Sequence, residues 1–545
     1  MLHLAAAAAV WLCLMMMGPV EADIPLVVPT KGSVWPKPQM QASEDTYLSI
    51  SPETFNFTVA NKDCPMLRSA MERYLKIMFP EQIKTRSRRH RGSPHSEHYR
   101  GDLKSVSLYL MAKCESMPYL HMDEHYEIKI NSPDQPGVAS IISPSIWGIM
   151  YGLESFSQLL VPDGDAYRVN SNQIMDYPRF SYRGFMIDTS RHFLPIPTIL
   201  ENLELMSMNK FNVLHWHIVD APSFPYQSDV YPNLSAEGAW TELHIYTLAD
   251  VATVVNYAAE RGIRVIPEFD TPGHTTSWGF GQPGLLTECY NSSGVPDGTY
   301  GPVDPSNEDN FDFLSKLFTE VTANFPDHFL HIGGDEVPFD CWESSPKINE
   351  FMKEEGIPAG DYAALEDYYI TRLIELVGDL PTKNGHLVWQ EVFDNGVQLP
   401  SDTVVHIWKD RDDMDKVKLE LANVTAAGFQ TLLSSCWYIQ VIHYGIDWYP
   451  FYECDPQDFE GTDAQKSLIV GGEACMWGEY VDKTNFIPRA WPRASAVGER
   501  LWSNPEDTKS TDEATPRLEE HRCRLLARGY NAEPLWPSYC DADIV

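Results

Sequence analysis

The chain has 545 residues, of which 43% are hydrophobic and 12% aromatic, a composition typical of a globular protein. Its length favours two domains over one. A formal net charge of -36 at pH 7 argues against nucleic acid as a partner, because phosphates attract basic surfaces, and against docking on anionic lipid.

Residues 1–22 are predicted to be a secretory signal peptide. Residues 4–17 form one apolar run, and Val20, Glu21 and Ala22 precede a plausible cleavage point. A membrane anchor is the alternative, but the run is shorter than the ~20 residues that span a bilayer. We therefore expect no membrane anchor in the mature chain.

Sequons and cysteines agree with secretory entry. The four Asn-x-Ser/Thr sequons begin at Asn56, Asn233, Asn291 and Asn423. Ten cysteines minus Cys13 in the signal leave nine, an odd number. Pairing along the sequence suggests Cys64 with Cys114, Cys289 with Cys341, and Cys523 with Cys540, while Cys436 and Cys454 flank a loop and are candidates for a fourth bridge. Cys475 lies in an apolar run and is the expected free thiol.

Residues 23–178 are predicted to form an α+β domain. Alternating apolar residues at 105–110 and 126–130 indicate strands, and helical spacing of apolar residues at 145–160 indicates an amphipathic helix. A basic run at 84–91 is interpreted as an exposed loop, with proteolytic nicking as the alternative.

Residues 179–545 are predicted to form a (β/α)8 barrel with a C-terminal extension. Eight apolar runs alternate with helical patterns, the signature of βα units and a parallel sheet. The runs are 184–188, 212–219, 264–269, 329–332, 386–389, 404–408, 431–434 and 468–472. Each leads into polar or aromatic residues, as expected where βα loops line an active site. A doubly wound sheet would need a Gly-rich phosphate loop near its first strand, and that pattern is absent.

The hexapeptide from His331 to Glu336, His-Ile-Gly-Gly-Asp-Glu, is the most informative motif. It places two adjacent carboxylates, Asp335 and Glu336, just past the fourth predicted strand. Because successive side chains of a strand point to opposite faces, both can enter one site only where the strand ends. Paired carboxylates at such a point favour general acid/base chemistry. A solvated acidic turn is the alternative.

Indole rings follow several of the same strands, at Trp389, Trp408, Trp437 and Trp477. Flat aromatic faces together with carboxylates favour a carbohydrate site. His215-Trp-His217 admits a rival interpretation, a metal-dependent barrel hydrolase, but later strand ends offer only His274 as a further imidazole. We therefore expect neither a metal nor another cofactor, and interpret His215 and His217 as hydrogen-bonded core residues.

Six ordered motifs together resemble one enzyme family. They are GFMIDTSRH at 184–192, HWHIVD at 215–220, EFDTPGH at 268–274, HIGGDE at 331–336, VWQE at 388–391 and GEACMWGE at 472–479. This set is similar to the lysosomal β-N-acetylhexosaminidases of glycoside hydrolase family 20, and the resemblance extends from Trp35 to Cys540. It implies a retaining exo-glycosidase whose substrate supplies the nucleophile through its own 2-acetamido group.

The resemblance also implies roles for individual residues. The catalytic group would be Glu336 as acid and base, Asp335 as the residue orienting the acetamido N–H, and Asp220 with His274 as a pair positioning the acid. The substrate-binding group would be Arg191, Trp389, Trp408, Tyr438, Gln440, Trp477 and Glu479.

Partners and compartment follow from the resemblance alone. It implies an oligosaccharide or glycolipid substrate, a dimer, and location in the lysosome or secretion. A non-catalytic sugar-binding relative is the competing interpretation, which the presence of both Asp335 and Glu336 disfavours.

The residues after Tyr438 generate a prediction about charged substrates. In the family, α-subunits carry an Asn-Arg pair that accepts charged sugars and β-subunits carry Asp-Leu, whereas this chain has Gln440-Val441. Without the Arg, an anionic sugar loses its cationic partner, so we expect a preference for neutral terminal sugars. The measurement is kcat/KM on chromogenic β-GlcNAc with and without a 6-sulfate. Equal turnover of the two would contradict the prediction.

Overall fold

The computed structural model describes residues 27–80 and 97–540. The predicted signal segment at 1–22 and the basic run at 84–91 lie outside the described residues. Within the described ranges, no helix combines the length and apolar character needed to cross a bilayer.

The N-terminal part is built on an eight-stranded mixed sheet. Its strands are β1 (Met40–Ile50), β2 (Asn56–Val59), β3 (Tyr99–Asp102), β4 (Ser105–Leu110), β5 (Tyr126–Ser132), β6 (Gln135–Ser143), β7 (Val161–Asp163) and β8 (Ala166–Asp176). They pair in the order β2-β4-β6-β5-β8-β1-β3, with β7 added to β8. Alternate residues of β4 and β5 are buried, as the period-two patterns at 105–110 and 126–130 predict.

Two helices, Pro65–Met78 and Ile146–Gln158, share the apolar core of this sheet. The second confirms the helix predicted at 145–160. It begins at Ser145, whose side chain accepts a hydrogen bond from the backbone N–H of Gly148. Every residue of Ile146–Gln158 is buried. The helix is therefore covered on all sides, by the sheet and by the barrel.

The eight predicted strands of the second part form a closed parallel barrel. In chain order the remaining strands are β9 (Tyr182–Asp188), β10 (Val213–Val219), β11 (Arg264–Phe269), β12 (Leu286–Tyr290), β13 (Pro296–Val303), β14 (Phe329–His331), β15 (Gly385–Trp389), β16 (Val404–Ile407), β17 (Gln430–Leu433) and β18 (Ile469–Met476). The barrel closes as β9-β10-β11-β14-β15-β16-β17-β18, and β12 and β13 form a separate hairpin. The (β/α)8 prediction is confirmed.

Helices connect the strands on the outside. They are Ile196–Met208, Asn233–Gly238, Leu248–Ala259, Thr276–Gly281, Glu308–Asn324, Asp340–Ser344, Pro346–Glu355, Tyr362–Asp379, Gln390–Asp394, Met414–Ala426, Tyr449–Glu453, Asp463–Lys466, Phe486–Ala490, Arg493–Trp502 and Thr511–Ala527. Between β15 and β16 the helix has only five residues, Gln390–Asp394.

The barrel interior is layered along its axis. An apolar layer seals the amino end: Tyr182, Val213, Ile266, Phe329, Leu387, Val404 and Leu432. Two residues further along β10, β11 and β18 the inward side chains are His215, Glu268 and Glu473, all completely buried. Polar groups therefore begin halfway up the barrel and continue to its carboxyl end.

A buried ion pair joins the sheet to the barrel. The Lys210 ammonium lies 2.8 Å from Asp176 Oδ2 and donates to the Tyr126 hydroxyl at 2.9 Å. The Trp502 ring lies 4.4 Å from the same ammonium. Asp176 ends β8, so this contact lies where the chain crosses between the two parts. The domain boundary near residue 178 stays a prediction.

Covalent and surface features fit a secreted chain. Disulfides join Cys64 to Cys114, Cys289 to Cys341, Cys436 to Cys454, and Cys523 to Cys540. Cys475 is buried and free, as expected from its apolar surroundings. The four sequon residues Asn56, Asn233, Asn291 and Asn423 are all exposed.

Candidate active site

The two motif carboxylates lie at a sharp bend beyond the end of β14. Gly333 and Gly334 have φ angles of +67° and +96°, and Glu336 follows in the left-handed region at +49°. A Cβ at Gly333 would lie 1.7 Å from Asp270 Oδ1, so the close approach requires glycine. The bend places Asp335 and Glu336 in one site.

The two carboxylates have different environments. Asp335 is 7% exposed, and its Oδ1 is a buried oxygen without a hydrogen-bond partner among the described residues. The Glu336 side chain is 58% exposed. An unmatched buried acceptor beside a solvent-facing carboxyl is suited to a ligand that brings both an N–H donor and a proton-accepting oxygen.

His274 lies between the carboxylates. Its Nδ1 lies 3.1 Å from Asp220 Oδ1, and its Nε2 lies 3.6 Å from Glu336 Oε2 and 3.7 Å from Asp335 Oδ2. Burial disfavours the charged ring, but the surrounding carboxylates, Asp270 foremost, raise the pKa of His274 overall. The ring is therefore an imidazolium in the unliganded site.

The charge on His274 acts on Glu336. The approach of its Nε2 to Glu336 Oε2 is the main cause of a lowered pKa at that carboxyl. Glu336 is therefore ionised in the open site. Burial by a ligand would raise the pKa again, because a carboxylate loses its hydration.

Asp270 was not among the sequence candidates, although it lies in the EFDTPGH motif. Its Oδ1 accepts a hydrogen bond from Gly334 N at 2.8 Å, which fixes the bend. Burial, followed by the negative charge of Asp335, raises the pKa of Asp270 well above its ordinary value. Ionisation of Asp270 beside Asp335 is therefore disfavoured. The feature of the sequence that could have identified Asp270 is its position at the end of the third barrel strand.

Asp220 is held from three sides. Arg191 Nη2 lies 2.7 Å and His217 Nε2 lies 2.8 Å from its Oδ2, while His274 approaches Oδ1. Burial opposes the charged form, but the hydrogen bonds from His217 and His274 hold the pKa of Asp220 below its usual range. The predicted pairing of Asp220 with His274 is thus present geometrically.

Arg191 is oriented by a residue that sequence reasoning left out of the site. Asp188 Oδ2 accepts from Arg191 Nη1 at 3.2 Å, and Asp188 Oδ1 accepts from the backbone N–H groups of Ser190 and Arg191. The guanidinium lies 5.0 Å from the Trp477 ring centroid. Glu479 is exposed and contributes a negative charge near Arg191.

Four aromatic residues form a box beside the carboxylates. Trp389 lies 6.5 Å from Trp408 and 6.1 Å from Trp477, and Tyr438 lies 6.3 Å from both Trp408 and Trp477, measured between ring centroids. Glu391 accepts from Trp408 Nε1 at 2.8 Å and fixes that indole. The box is therefore rigid before any ligand binds.

Trp437 does not belong to this box, so its interpretation as a ligand platform is wrong. It is completely buried, and its Nε1 donates to the carbonyl oxygen of Phe451 at 2.9 Å. The short 3-10 turn Ser435–Trp437 directs Trp437 into the core, while Tyr438 next to it enters the box. Gln440 follows on the same segment, with a buried Oε1 that lacks a partner among the described residues.

Among the described residues, three groups of side chains have a composition that could hold a cation: His215 with His331 and His406, Asp270 with His274 and Asp335, and Glu519 with Cys523 and Cys540, whose two cysteines form a disulfide. His215 already contacts Glu473 and Glu268, each at 2.8 Å. The expected hydrogen-bonded core role of His215 and His217 matches these contacts. The second group is the carboxylate cluster around His274.

Comparisons with known proteins agree on one family. The model "Glycosyl hydrolase family 20, catalytic domain" matches residues 180–505, and the model "beta-acetyl hexosaminidase like" matches residues 34–159. The β-hexosaminidase subunit beta of Felis catus is 47% identical over 93% of this chain and 94% of its own length. The subunit alpha of Bos taurus is 45% identical over 94% and 95%.

Solved structures show the same architecture. Flavobacterium johnsoniae chitobiase matches with a TM-score of 0.77 and 28% identity, over 91% of this chain and 73% of that protein. A Streptomyces plicatus β-hexosaminidase matches with a TM-score of 0.71 over 95% of this chain and 100% of that protein. Its 23% identity supports the fold alone.

The bend generates a prediction about stability. We expect Gly333→Ala to lower the free energy of unfolding by about 3 kcal/mol or more, because left-handed backbone and a steric clash with Asp270 act together. The measurement is urea unfolding followed by tryptophan fluorescence.

Gly356→Ala is the matched control. Gly356 has a similar φ of +73°, but a Cβ there meets nothing within 4 Å. We expect Gly356→Ala to lower the free energy of unfolding by only about 1 kcal/mol, because the left-handed backbone alone disfavours alanine there. Equal losses in the two variants would show that the contact with Asp270 does not constrain the bend.

Proposed function

The chain belongs to glycosyl hydrolase family 20, and we propose that it removes terminal, non-reducing β-linked N-acetylglucosamine and N-acetylgalactosamine from glycoconjugates. The observation that carries the proposal is the buried, unmatched Oδ1 of Asp335 next to the exposed Glu336. An acetamido sugar supplies an N–H for the first and a glycosidic oxygen for the second.

In the first step, the acetamido oxygen of the bound sugar attacks its own anomeric carbon. The bond from that carbon to the leaving oxygen breaks, and Glu336 gives its proton to the leaving oxygen. The products are the free aglycone and an oxazolinium ion. In the second step Glu336 takes a proton from water as the water oxygen bonds to the anomeric carbon. The bond from that carbon to the acetamido oxygen breaks, which restores the amide and gives overall retention.

Asp335 would accept the acetamido N–H and balance the positive charge that develops on the amide. A full negative charge on Asp335 serves this role best. Burial raises the pKa of Asp335, and the nearby charge of His274 opposes that shift and supports ionisation.

The aromatic box would enclose the acetamido group. Trp389, Trp408 and Trp477 offer apolar faces to its methyl group and to the sugar ring. Burial, the largest cause, raises the pKa of Tyr438 well above its ordinary value, so its hydroxyl stays protonated and can donate to the acetamido oxygen. That hydrogen bond directs the oxygen at the anomeric carbon.

Arg191, Glu479 and Gln440 would bind the sugar hydroxyls. Arg191 is already oriented by Asp188 and Asp220, so little freedom is lost on binding. Gln440 lacks the charge of a carboxylate, which weakens its grip on a hydroxyl but leaves neutral sugars acceptable.

Acidic conditions would favour the reaction. The general acid must carry a proton, and the contact with His274 lowers the pKa of Glu336 in the open site. Lowering the pH therefore increases the active fraction. The lysosome is the compartment that fits, and the curated relatives are subunits of β-hexosaminidase, which supports a dimer as the proposed assembly.

The proposed roles predict the behaviour of Glu336→Gln. We expect it to lower kcat on a chromogenic β-GlcNAc glycoside by about 10²–10⁴-fold, because the amide cannot supply the proton. The parent should release the β-anomer first, seen by NMR of fresh product. Glu354→Gln, on an exposed part of the helix Pro346–Glu355, is the control and should keep the parent rate.

Two outcomes would contradict the proposal. One is a glycosyl ester trapped on a side chain, which would replace the acetamido group as nucleophile. The other is undiminished cleavage of the matching glucoside, which has no acetamido group.

A further inference from the structure

The contacts around Asp220 continue downward into the barrel, beyond the residues assigned above. His217 Nε2 bonds Asp220, and its other nitrogen, Nδ1, lies 2.6 Å from Glu268 Oε2. Both ends of the His217 ring are thereby fixed. Because the ring cannot turn, it presents a fixed nitrogen to Asp220.

Glu268 has two further partners. His215 Nε2 lies 2.8 Å from Glu268 Oε2, and the indole N–H of Trp389 donates to Glu268 Oε1 at 2.7 Å. Trp389 is a wall of the aromatic box. One buried carboxylate therefore contacts both the residues behind Glu336 and the wall of the acetamido pocket.

The series ends at the sealed amino end of the barrel. His215 Nδ1 lies 2.8 Å from Glu473 Oε1, and Tyr182 donates its hydroxyl proton to Glu473 Oε2 at 2.9 Å. From Glu473 to His274, carboxylates and imidazoles alternate without interruption. Glu473, His215, Glu268, His217 and Asp220 are each 1% exposed or less.

The charges along this series also alternate. Burial opposes every charge, yet the partners prevail: the pKa of His217 is raised well above its ordinary value, that of His215 is raised to about 9, and that of Glu268 is lowered. Glu268 and Asp220 therefore each lie between two imidazolium ions, and Glu473 pairs with the imidazolium of His215. An isolated charge at this depth would be strongly disfavoured.

Arg191 adds a positive charge at Asp220, whereas the remaining imidazole and thiol neighbours of Glu268 and Glu473 are neutral. His331 on β14 faces Glu268, and burial lowers its pKa well below the ordinary value. His406 on β16 faces Glu473, and burial lowers its pKa to about 4. The free thiol of Cys475 also contacts Glu473, and burial keeps it protonated. The ionised groups facing Glu268 are thus His215 and His217.

A shared metal ion explains the histidines less well. The rings of His215 and His331 are stacked at 4.7 Å with only 19° between their planes. A metal lies in the plane of each imidazole that binds it, and two nearly parallel stacked rings do not share such a point.

We propose that Glu268 is a positioning residue for the acid–base Glu336, acting through His217, Asp220 and His274, and that it couples this group to the acetamido pocket through Trp389. The inference rests on the proposed function. The negative charge of Glu268 stabilises the imidazolium of His217. That ring holds Asp220 in one orientation, and Asp220 in turn directs His274 at Glu336.

The test compares pH profiles of the whole protein with chromogenic β-GlcNAc. In Glu268→Gln, an anion disappears while the amide keeps the side-chain volume. Asp220 still contacts His217 Nε2 and keeps that ring charged, so the series then carries excess positive charge, which favours ionised Glu336. We expect kcat to fall by about 10–100-fold and the basic limb of kcat/KM to move about one pH unit lower.

Two other variants separate the effect of Glu268 on the acetamido pocket from its effect on Glu336. Trp389→Phe removes the indole donor to Glu268 together with part of the pocket wall, and should raise KM without moving the basic limb. Glu473→Gln, two links further from Glu336, should move the limb in the same direction by a smaller amount. If Glu268→Gln does not fold, the position of the basic limb in Glu473→Gln tests the inference instead.

Glu499→Gln is the control for a merely structural effect. Glu499 is also fully buried and ion-paired, with Arg517 at 2.6 Å, but it has no contact with the series. It should lower Tm and leave the pH profile unchanged. A basic limb that stays in place in both Glu268→Gln and Glu473→Gln would overturn the inference. An inactive parent would instead refute the proposed function.

Discussion

The left-handed bend at Gly333 and Gly334 is the constraint on which the site depends. Strand geometry would send the side chains of Asp335 and Glu336 to opposite faces. The bend instead brings both carboxylates to one side of the barrel mouth, and the hydrogen bond from Gly334 N to Asp270 fixes it there. Two neighbouring carboxylates with different exposure then acquire different chemistry, because one is buried beside Asp270 and the other faces solvent beside a cation.

The second organising feature is the alternation of buried charges below the site. Breaking a buried ion pair typically costs about 3–5 kcal/mol, because the remaining charge loses its partner. The barrel therefore tolerates His215, His217, Glu268 and Glu473 only as a connected set. Such a set fixes tautomers and ring orientations, and it gives the acid at the barrel mouth a rigid support that a purely apolar core would not provide.

Much of the fold was predictable because it is encoded locally. Apolar runs flanked by polar strand ends identified all eight barrel strands, and Ser145 marked the start of a helix. Trp437 was misassigned because adjacent residues in a tight turn point to opposite sides, which sequence alone does not resolve. Glu268 escaped notice because its partners His217 and Trp389 lie 51 and 121 residues away, and only the closed barrel brings them together.

The completely covered helix Ile146–Gln158 has a consequence for how the molecule can be divided. Arg528, directly after the last helix, donates to Glu154 at 2.9 Å, so the C-terminal part of the chain packs on this element. Cutting the polypeptide between sheet and barrel would expose, on each fragment, an apolar surface that also carries unpaired charges. We therefore do not expect the barrel to fold as an independent domain. A shortened version of the protein would need to keep the sheet or replace the buried residues at the contact between sheet and barrel.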